Sequence, residues 1–157
     1  MMSLCCDVIR ALEGKTLVTA ESCTGGGIGA ALTAVSGSSA VFKGGIISYT
    51  NEVKNKVLGV NAKLLEEKGA VSAPVAEAMA KGARERLGAD IAVSVTGLAG
   101  PGGDDYGNPV GTVYIGYSDE TKTEVRHFLF CGGREPIRRQ AVEAALSMIL
   151  EYNSPHN

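Results

Sequence analysis

The chain has no tryptophan and only two histidines, His127 and His156, among its 157 residues. A metal centre built on imidazoles is short of ligands on that count, and an imidazole base has few places to come from. The four cysteines, Cys5, Cys6, Cys23 and Cys131, show no C-x-x-C spacing and two are adjacent, which argues against a disulfide framework or a zinc site. Positive charge is in short supply too: 15 Lys and Arg stand against 17 Asp and Glu, for a net charge of −2. With no basic run to neutralise a phosphate backbone, nucleic acid is not an expected partner. No segment approaches the length that spans a bilayer, and MMSLCCDVIRALEGK lacks the basic start and long apolar stretch of a leader. A cytoplasmic protein with no membrane contact is the expectation. The length suits a single domain over residues 1–157, too small for a nucleotide domain plus a separate substrate domain.

Glycine, by contrast, is plentiful, with 21 residues. Between the glycine clusters the hydrophobic periodicity switches repeatedly. Leu4, Val8, Ile9 and Leu12 recur at helical spacing before Gly14, predicting a helix over 3–13. TLVTAES (16–22) reads as a strand, followed by a helical stripe of Ile28, Ala31, Leu32 and Val35. GGIISYT (44–50) reads as a second strand, Asn51 as the cap of a short helix running to about Leu58, and 61–69 as another helix. Ser72 is a good cap for a longer helix carrying Val75, Met79, Ala83 and Leu87 on one face and ending at Gly88. DIAVSVTG (90–97) is nearly continuous in apolar residues, as a strand covered on both faces should be. Two alternating runs around Asp119-Glu120-Thr121 predict a hairpin, and a last helix runs from about Glu135 to Tyr152. The fold expected is α/β: a three-layer α/β/α sandwich with a mixed, mostly parallel sheet of about five strands. In such sheets ligands bind at the carboxyl ends of the parallel strands. Ser22 ends the first strand in this reading and Tyr49 the second, so if these strands are parallel neighbours both side chains face one crevice, within reach of Lys54.

VTAESCTGGGIGAAL (18–32) can be read in three ways. Gly25-x-Gly27-x-x-Ala30 spells a dinucleotide fingerprint, but no acid ends strand two to hold a ribose, and three polar residues precede the glycines. As a nucleophile site, Ser22 needs a base, and Lys54 is the obvious one if its pKa is lowered; Tyr49 would relay a proton or orient the pair. The amides of Thr24, Gly25 and Gly26 would then face the oxyanion. The third reading has Ser22 and Thr24 merely capping the helix and Lys54 in solvent. Cys23 with His127 is a rival pair, although a mid-strand histidine in alternation with Phe128 and Phe130 is more often structural.

TGLAGPGGDDYGNP (96–109) is too glycine-rich for idle connective chain, and Thr96, Gly97, Gly100, Gly102 and Gly103 are expected to line a ligand pocket. Asp104 and Asp105 read as solvated acids rather than metal ligands. Arg134, Arg138 and Arg139 crowd the start of the last helix, where the macrodipole disfavours cations. Arg134 and Arg138 are the expected partners of a phosphorylated ligand.

Together TAESCTGG, GGIISYTNEVKNKVLGV, GAVSAPVAEAMAKGAR, SVTGLAGPGG, NPVGTVYIGY and REPIRRQA resemble the CinA C-terminal domain, the family of the stand-alone nicotinamide-nucleotide amidases, over roughly residues 12–152. The resemblance implies a cofactor-free enzyme that converts nicotinamide mononucleotide to nicotinic acid mononucleotide and ammonia. It also implies Ser22, Tyr49 and Lys54 as the catalytic set, a small nucleotide as substrate, and a homo-oligomer. The resemblance is to the short, stand-alone form of the family, in which no molybdopterin-binding-like domain is expected. Two positions depart from the family pattern: Gly133 stands where an acid is usual, and Asn108 where lysine is frequent. The rival expectations are a catalytically silent nucleotide-binding or partner-recruiting domain and a dinucleotide-binding protein.

Overall fold

The computed structural model describes residues 1–155, and His156 lies outside them. Five strands, β1 (Leu17–Glu21), β2 (Phe42–Ile47), β3 (Ile91–Gly97), β4 (Thr112–Ser118) and β5 (Thr123–Leu129), form one sheet in the order β2-β1-β3-β4-β5. β2, β1 and β3 run parallel, whereas β3, β4 and β5 pair antiparallel. The expected mixed sheet between two helical layers is therefore the observed one.

Alternation along the central strands supplies both faces. Leu17, Val93 and Ile115 join Cys5 and Val8 of α1 (Met2–Ala11), Ile28 and Leu32 of α2 (Gly27–Thr33), and Ile137, Ala141 and Ala145 of α6 (Arg134–Asn153). On the opposite face Val18, Ala20 and Ala92 meet Leu65 of α4 (Ala62–Lys68) and Val75, Met79 and Ala83 of α5 (Ala73–Leu87). α5 approaches the sheet closely because small residues lie beneath it. The Ser94 hydroxyl donates to the Ala76 carbonyl at 2.6 Å, and a Cβ on Gly116 would sit 2.6 Å from that same carbonyl.

Element ends differ from the sequence expectation where polar side chains redirect the backbone. β2 stops at Ile47 rather than residue 50. Thr50 turns back to accept from the Val53 amide at 3.3 Å and so caps α3 (Asn51–Lys56), the role expected of Asn51. α2 ends at Thr33, two residues before the predicted stripe does, with the Thr33 hydroxyl bonded to the Gly29 carbonyl at 2.9 Å. Ser72 takes the N-cap position of α5 as expected, but its hydroxyl donates to the Gly69 carbonyl at 2.9 Å rather than accepting from the helix amides.

The sheet reverses its winding at β1: β2 lies on one side of it and β3 on the other. The chain leaving β1 and that leaving β3 therefore part over a crevice at the carboxyl ends of the parallel strands, where an α/β sheet offers a ligand site.

Candidate active site

Ser22 stands at that crevice. Its amide still donates to the Val95 carbonyl of β3 at 2.9 Å, so sheet hydrogen bonding fixes the residue just before the backbone turns. The turn runs through Gly25 and Gly26, whose φ values of +58° and +99° only glycine adopts cheaply. α2 then begins, and its first amides are already occupied. The buried carboxylate of Glu21 accepts from the amides of Ile28 (2.8 Å) and Gly29 (3.1 Å) and from the hydroxyls of Thr24 (2.7 Å) and Thr19 (3.1 Å).

This changes the meaning of the glycine spelling. A dinucleotide fingerprint needs the helix amides free for a pyrophosphate, and here the chain's own carboxylate takes them. Of the amides expected to face an oxyanion, that of Gly25 donates instead to the Ser22 carbonyl at 3.0 Å. Glu21 is the residue sequence reasoning missed. A glutamate at a strand end is mostly a surface residue, and the burial that sets this one apart shows only in the structure.

Lys54 reaches the crevice from α3. It is 1% exposed, and its Nζ lies 3.0 Å from Ser22 Oγ. The amine also donates to the Ser48 carbonyl at 2.7 Å and the Tyr49 carbonyl at 3.5 Å. Carbonyl oxygens only accept, whereas a hydroxyl can donate or accept. The two N–H bonds of a neutral amine thus have acceptors in the two carbonyls, leaving its lone pair for the serine proton. Burial favours this neutral form, lowering the Lys54 pKa to about 8, against a small opposing pull from Cys23. A lysine so lowered is a competent base near neutral pH.

Above the pair lies a cavity of about 510 Å³, within the range of small-molecule sites. Of the residues expected in the site, Ser22, Tyr49, Lys54, Thr96, Gly97, Gly100, Gly102, Gly103 and Arg134 line it. Tyr49 follows the end of β2 and is 58% exposed. Its hydroxyl accepts from Arg134 Nη2 at 3.1 Å, while Arg134 Nη1 donates to the Gly100 carbonyl at 2.8 Å. This bridge joins the β2–α3 connection to the glycine-rich loop across the cavity rim.

Thr24, Gly25, Gly26 and Arg138 are not on the cavity wall. Thr24 is tied to Glu21, and Arg138 donates to the Cys23 carbonyl at 2.9 Å and the Thr24 carbonyl at 3.3 Å, so the four residues shape the turn from behind. Those carbonyls also answer the crowding of cations at the start of α6: Arg134 and Arg138 face backbone oxygens. Gly133 has open space where a side chain would be, and Arg134 is oriented without an acid there. Asn108 links the loop to the Val71 carbonyl at 3.1 Å.

Cys23 and His127 are not brought together. Cys23 is buried beside Ser22, and burial pushes its thiol up to about 11, away from the reactive thiolate. His127 lies on the edge strand β5, stacked on Tyr114 at 4.7 Å. Among the described residues, no three His, Cys, Asp or Glu side chains cluster to hold a metal ion.

Fold and site together define an α/β protein with a buried serine–lysine pair under a glycine-rich loop. The chain belongs to the CinA C-terminal domain family, whose model matches residues 3–153. It is 52% identical over 139 residues to a CinA-like protein of Parasynechococcus marenigrum, covering 87% of this chain and 33% of that protein. A CinA-like protein of Geotalea daltonii is also 52% identical, over 136 residues, with the same coverage. The chain thus spans about a third of the length of these curated relatives. Among solved structures, the competence/damage inducible protein CihA from Agrobacterium tumefaciens superposes with a TM-score of 0.94 at 40% identity, covering 98% of this chain and 95% of that one. Competence damage-inducible protein A of Klebsiella pneumoniae gives 0.93 at 39% identity, with 96% and 94% covered.

Proposed function

We propose that this domain hydrolyses the carboxamide of nicotinamide mononucleotide, releasing ammonia and nicotinic acid mononucleotide. The observation that carries the proposal is the 3.0 Å contact between Ser22 Oγ and the buried Lys54 amine. The resemblance of the motifs to the nicotinamide-nucleotide amidases supports the choice of substrate.

Lys54 takes the hydroxyl proton as Ser22 Oγ attacks the carboxamide carbon, and the carbonyl electron pair moves onto oxygen. The amide that follows the nucleophile, that of Cys23, which lines the cavity, is the donor the oxyanion meets. Collapse breaks the C–N bond, and the Lys54 ammonium returns its proton to the leaving nitrogen, which departs as ammonia. Water then attacks the acyl-serine, with Lys54 again taking a proton and returning it to Ser22. Tyr49 contributes its carbonyl to Lys54 and its ring and hydroxyl to the rim. There, Arg134 and the amides near Gly102 and Gly103 receive the 5′-phosphate.

Ammonia release from nicotinamide mononucleotide by the purified protein, without added metal, tests this directly. Steady release with one product per ammonia is the expected result. Tight binding of the mononucleotide with no release at high protein concentration contradicts it, and favours the silent-domain alternative.

A further inference from the structure

On its α3–α4 side the cavity over Ser22 adjoins a second hollow of about 440 Å³, and Asn51 and Tyr106 line both. The Tyr106 side chain stands where the two adjoin. At 48% exposure it is among the large apolar side chains left in contact with solvent, yet it is held from several sides. The ring lies flat over Gly69, where a Cβ would come within 2.7 Å of a ring carbon, and the hydroxyl donates to the Glu66 carbonyl at 2.7 Å. The backbone beneath it is fixed through Asp104, which accepts from the amides of Tyr106 (3.1 Å) and Asn108 (3.0 Å) and from the Asn108 side chain (2.7 Å). Burial alone would raise the Asp104 carboxyl, but these hydrogen bonds outweigh it and hold the group below its ordinary range, keeping it an acceptor.

We infer that Tyr106 is a specificity-determining residue that limits the substrate to the length of a mononucleotide, and that the hollow behind it would take the second nucleoside of a dinucleotide if the ring were removed. The inference rests on the proposed amidase reading. The first cavity suffices for one nucleotide. The second has a floor of Ala62 and Leu65, amide side chains in Asn51 and Asn55, and acids in Glu52 and Glu66 at its edge. An apolar floor with amides and no cation suits a flat, uncharged base and disfavours another phosphate. In this reading a dinucleotide bound with its carboxamide at Ser22 carries its second half towards the position of the Tyr106 ring. The ring stands there as a steric stop, braced so that substrate binding energy does not readily swing it aside.

The test compares ammonia release from nicotinamide mononucleotide and from NAD, which carries the same carboxamide, by the wild type and by Tyr106→Ala, Tyr106→Leu and Tyr106→Phe. The quantity read is the ratio of kcat/KM for NAD to that for the mononucleotide. Tyr106→Ala is expected to raise the ratio at least tenfold and Tyr106→Leu to raise it less. Tyr106→Phe, which loses only the bond to Glu66, should hold it near the wild-type value. If Tyr106→Ala does not fold, Tyr106→Leu decides by the same direction of change. Turnover of the mononucleotide with an unchanged ratio in the folded variants overturns this inference and leaves the amidase reading standing. If no protein releases ammonia, that reading fails, and calorimetric binding of the two nucleotides decides. Selective gain of NAD binding in the variants then supports the inference, and equal or absent binding overturns it.

Discussion

At the scale of single residues, the site depends on an amine that is kept from being charged. Lys54 is buried with carbonyls and a hydroxyl around it and no carboxylate to offset its charge. Its pKa falls to about 8 for that reason, and since the neutral form is the base, kcat/KM should rise about tenfold per pH unit below that value and level off above it. A profile flat from pH 6 to 9 would assign the rate to another group. Lys54→Arg keeps the charge but cannot lose its proton; turnover should fall by about 10²–10⁴-fold, as for removal of a general base, measured as ammonia release at pH 8. The residues of this pair could be named from the sequence, because a chain with two histidines leaves lysine as the available base for a serine at a strand end, but the family resemblance, not the spacing, raised them above the reading of a helix cap and a solvated lysine. Their contact could not. Ser22 and Lys54 are 32 positions apart, and only the parallel pairing of β1 with β2, continued by the Ser48 amide donating to the Glu21 carbonyl, brings the residues after β2 beside the end of β1. The same limit misplaced the role of Arg138, whose guanidinium suits phosphate and backbone carbonyls equally well.

At the scale of elements, the turn from β1 into α2 is held by Glu21 rather than by its glycines alone. Removing that carboxylate in Glu21→Ala strips the first amides of α2 and the Thr24 hydroxyl of their acceptor. A loss of roughly 2–4 kcal/mol is expected in denaturant unfolding, together with reduced turnover because Ser22 sits on the released turn. Glutamate at a strand end reads as surface in a sequence, and only the wholly buried burial pattern of β1 shows otherwise. The contact of α5 with the sheet is a second case. Gly116→Val places a branched side chain against the Ala76 carbonyl and Ser94 hydroxyl, forcing α5 outward at a cost of about 1–3 kcal/mol, which a lowered Tm reports. Strand and helix identities were readable from periodicity, but the end of β2 was not, since Ser48-Tyr49-Thr50 is as compatible with a strand as with the connection it forms.

At the scale of the whole molecule, stability and function oppose one another at the site. An uncompensated buried amine destabilises the fold in its charged form. The sign follows from its lowered pKa: between about 8 and the ordinary 10.5 the unfolded chain binds the proton and the folded chain does not, so wild-type stability gains with rising pH across that window. Lys54→Met removes the effect. It should melt several degrees above the wild type at pH 7, with the gap narrowing as pH rises from 8 to 10.5; a gap that widens would contradict the assignment. That the site lies at the carboxyl ends of the parallel strands was readable once strands alternated with helices; its seat at the reversal of winding was not, because strand order is set by tertiary pairing. Among the described residues no helix is long and apolar enough to cross a membrane. The central claim is that Ser22, activated by Lys54, attacks a carboxamide, and initial rates of ammonia release from nicotinamide mononucleotide for the wild type, Ser22→Ala and Cys23→Ala test it most directly. The account predicts a loss of at least about a thousandfold in Ser22→Ala, as for removal of a nucleophile, with Cys23→Ala still active. An active Ser22→Ala beside an inactive Cys23→Ala would contradict it.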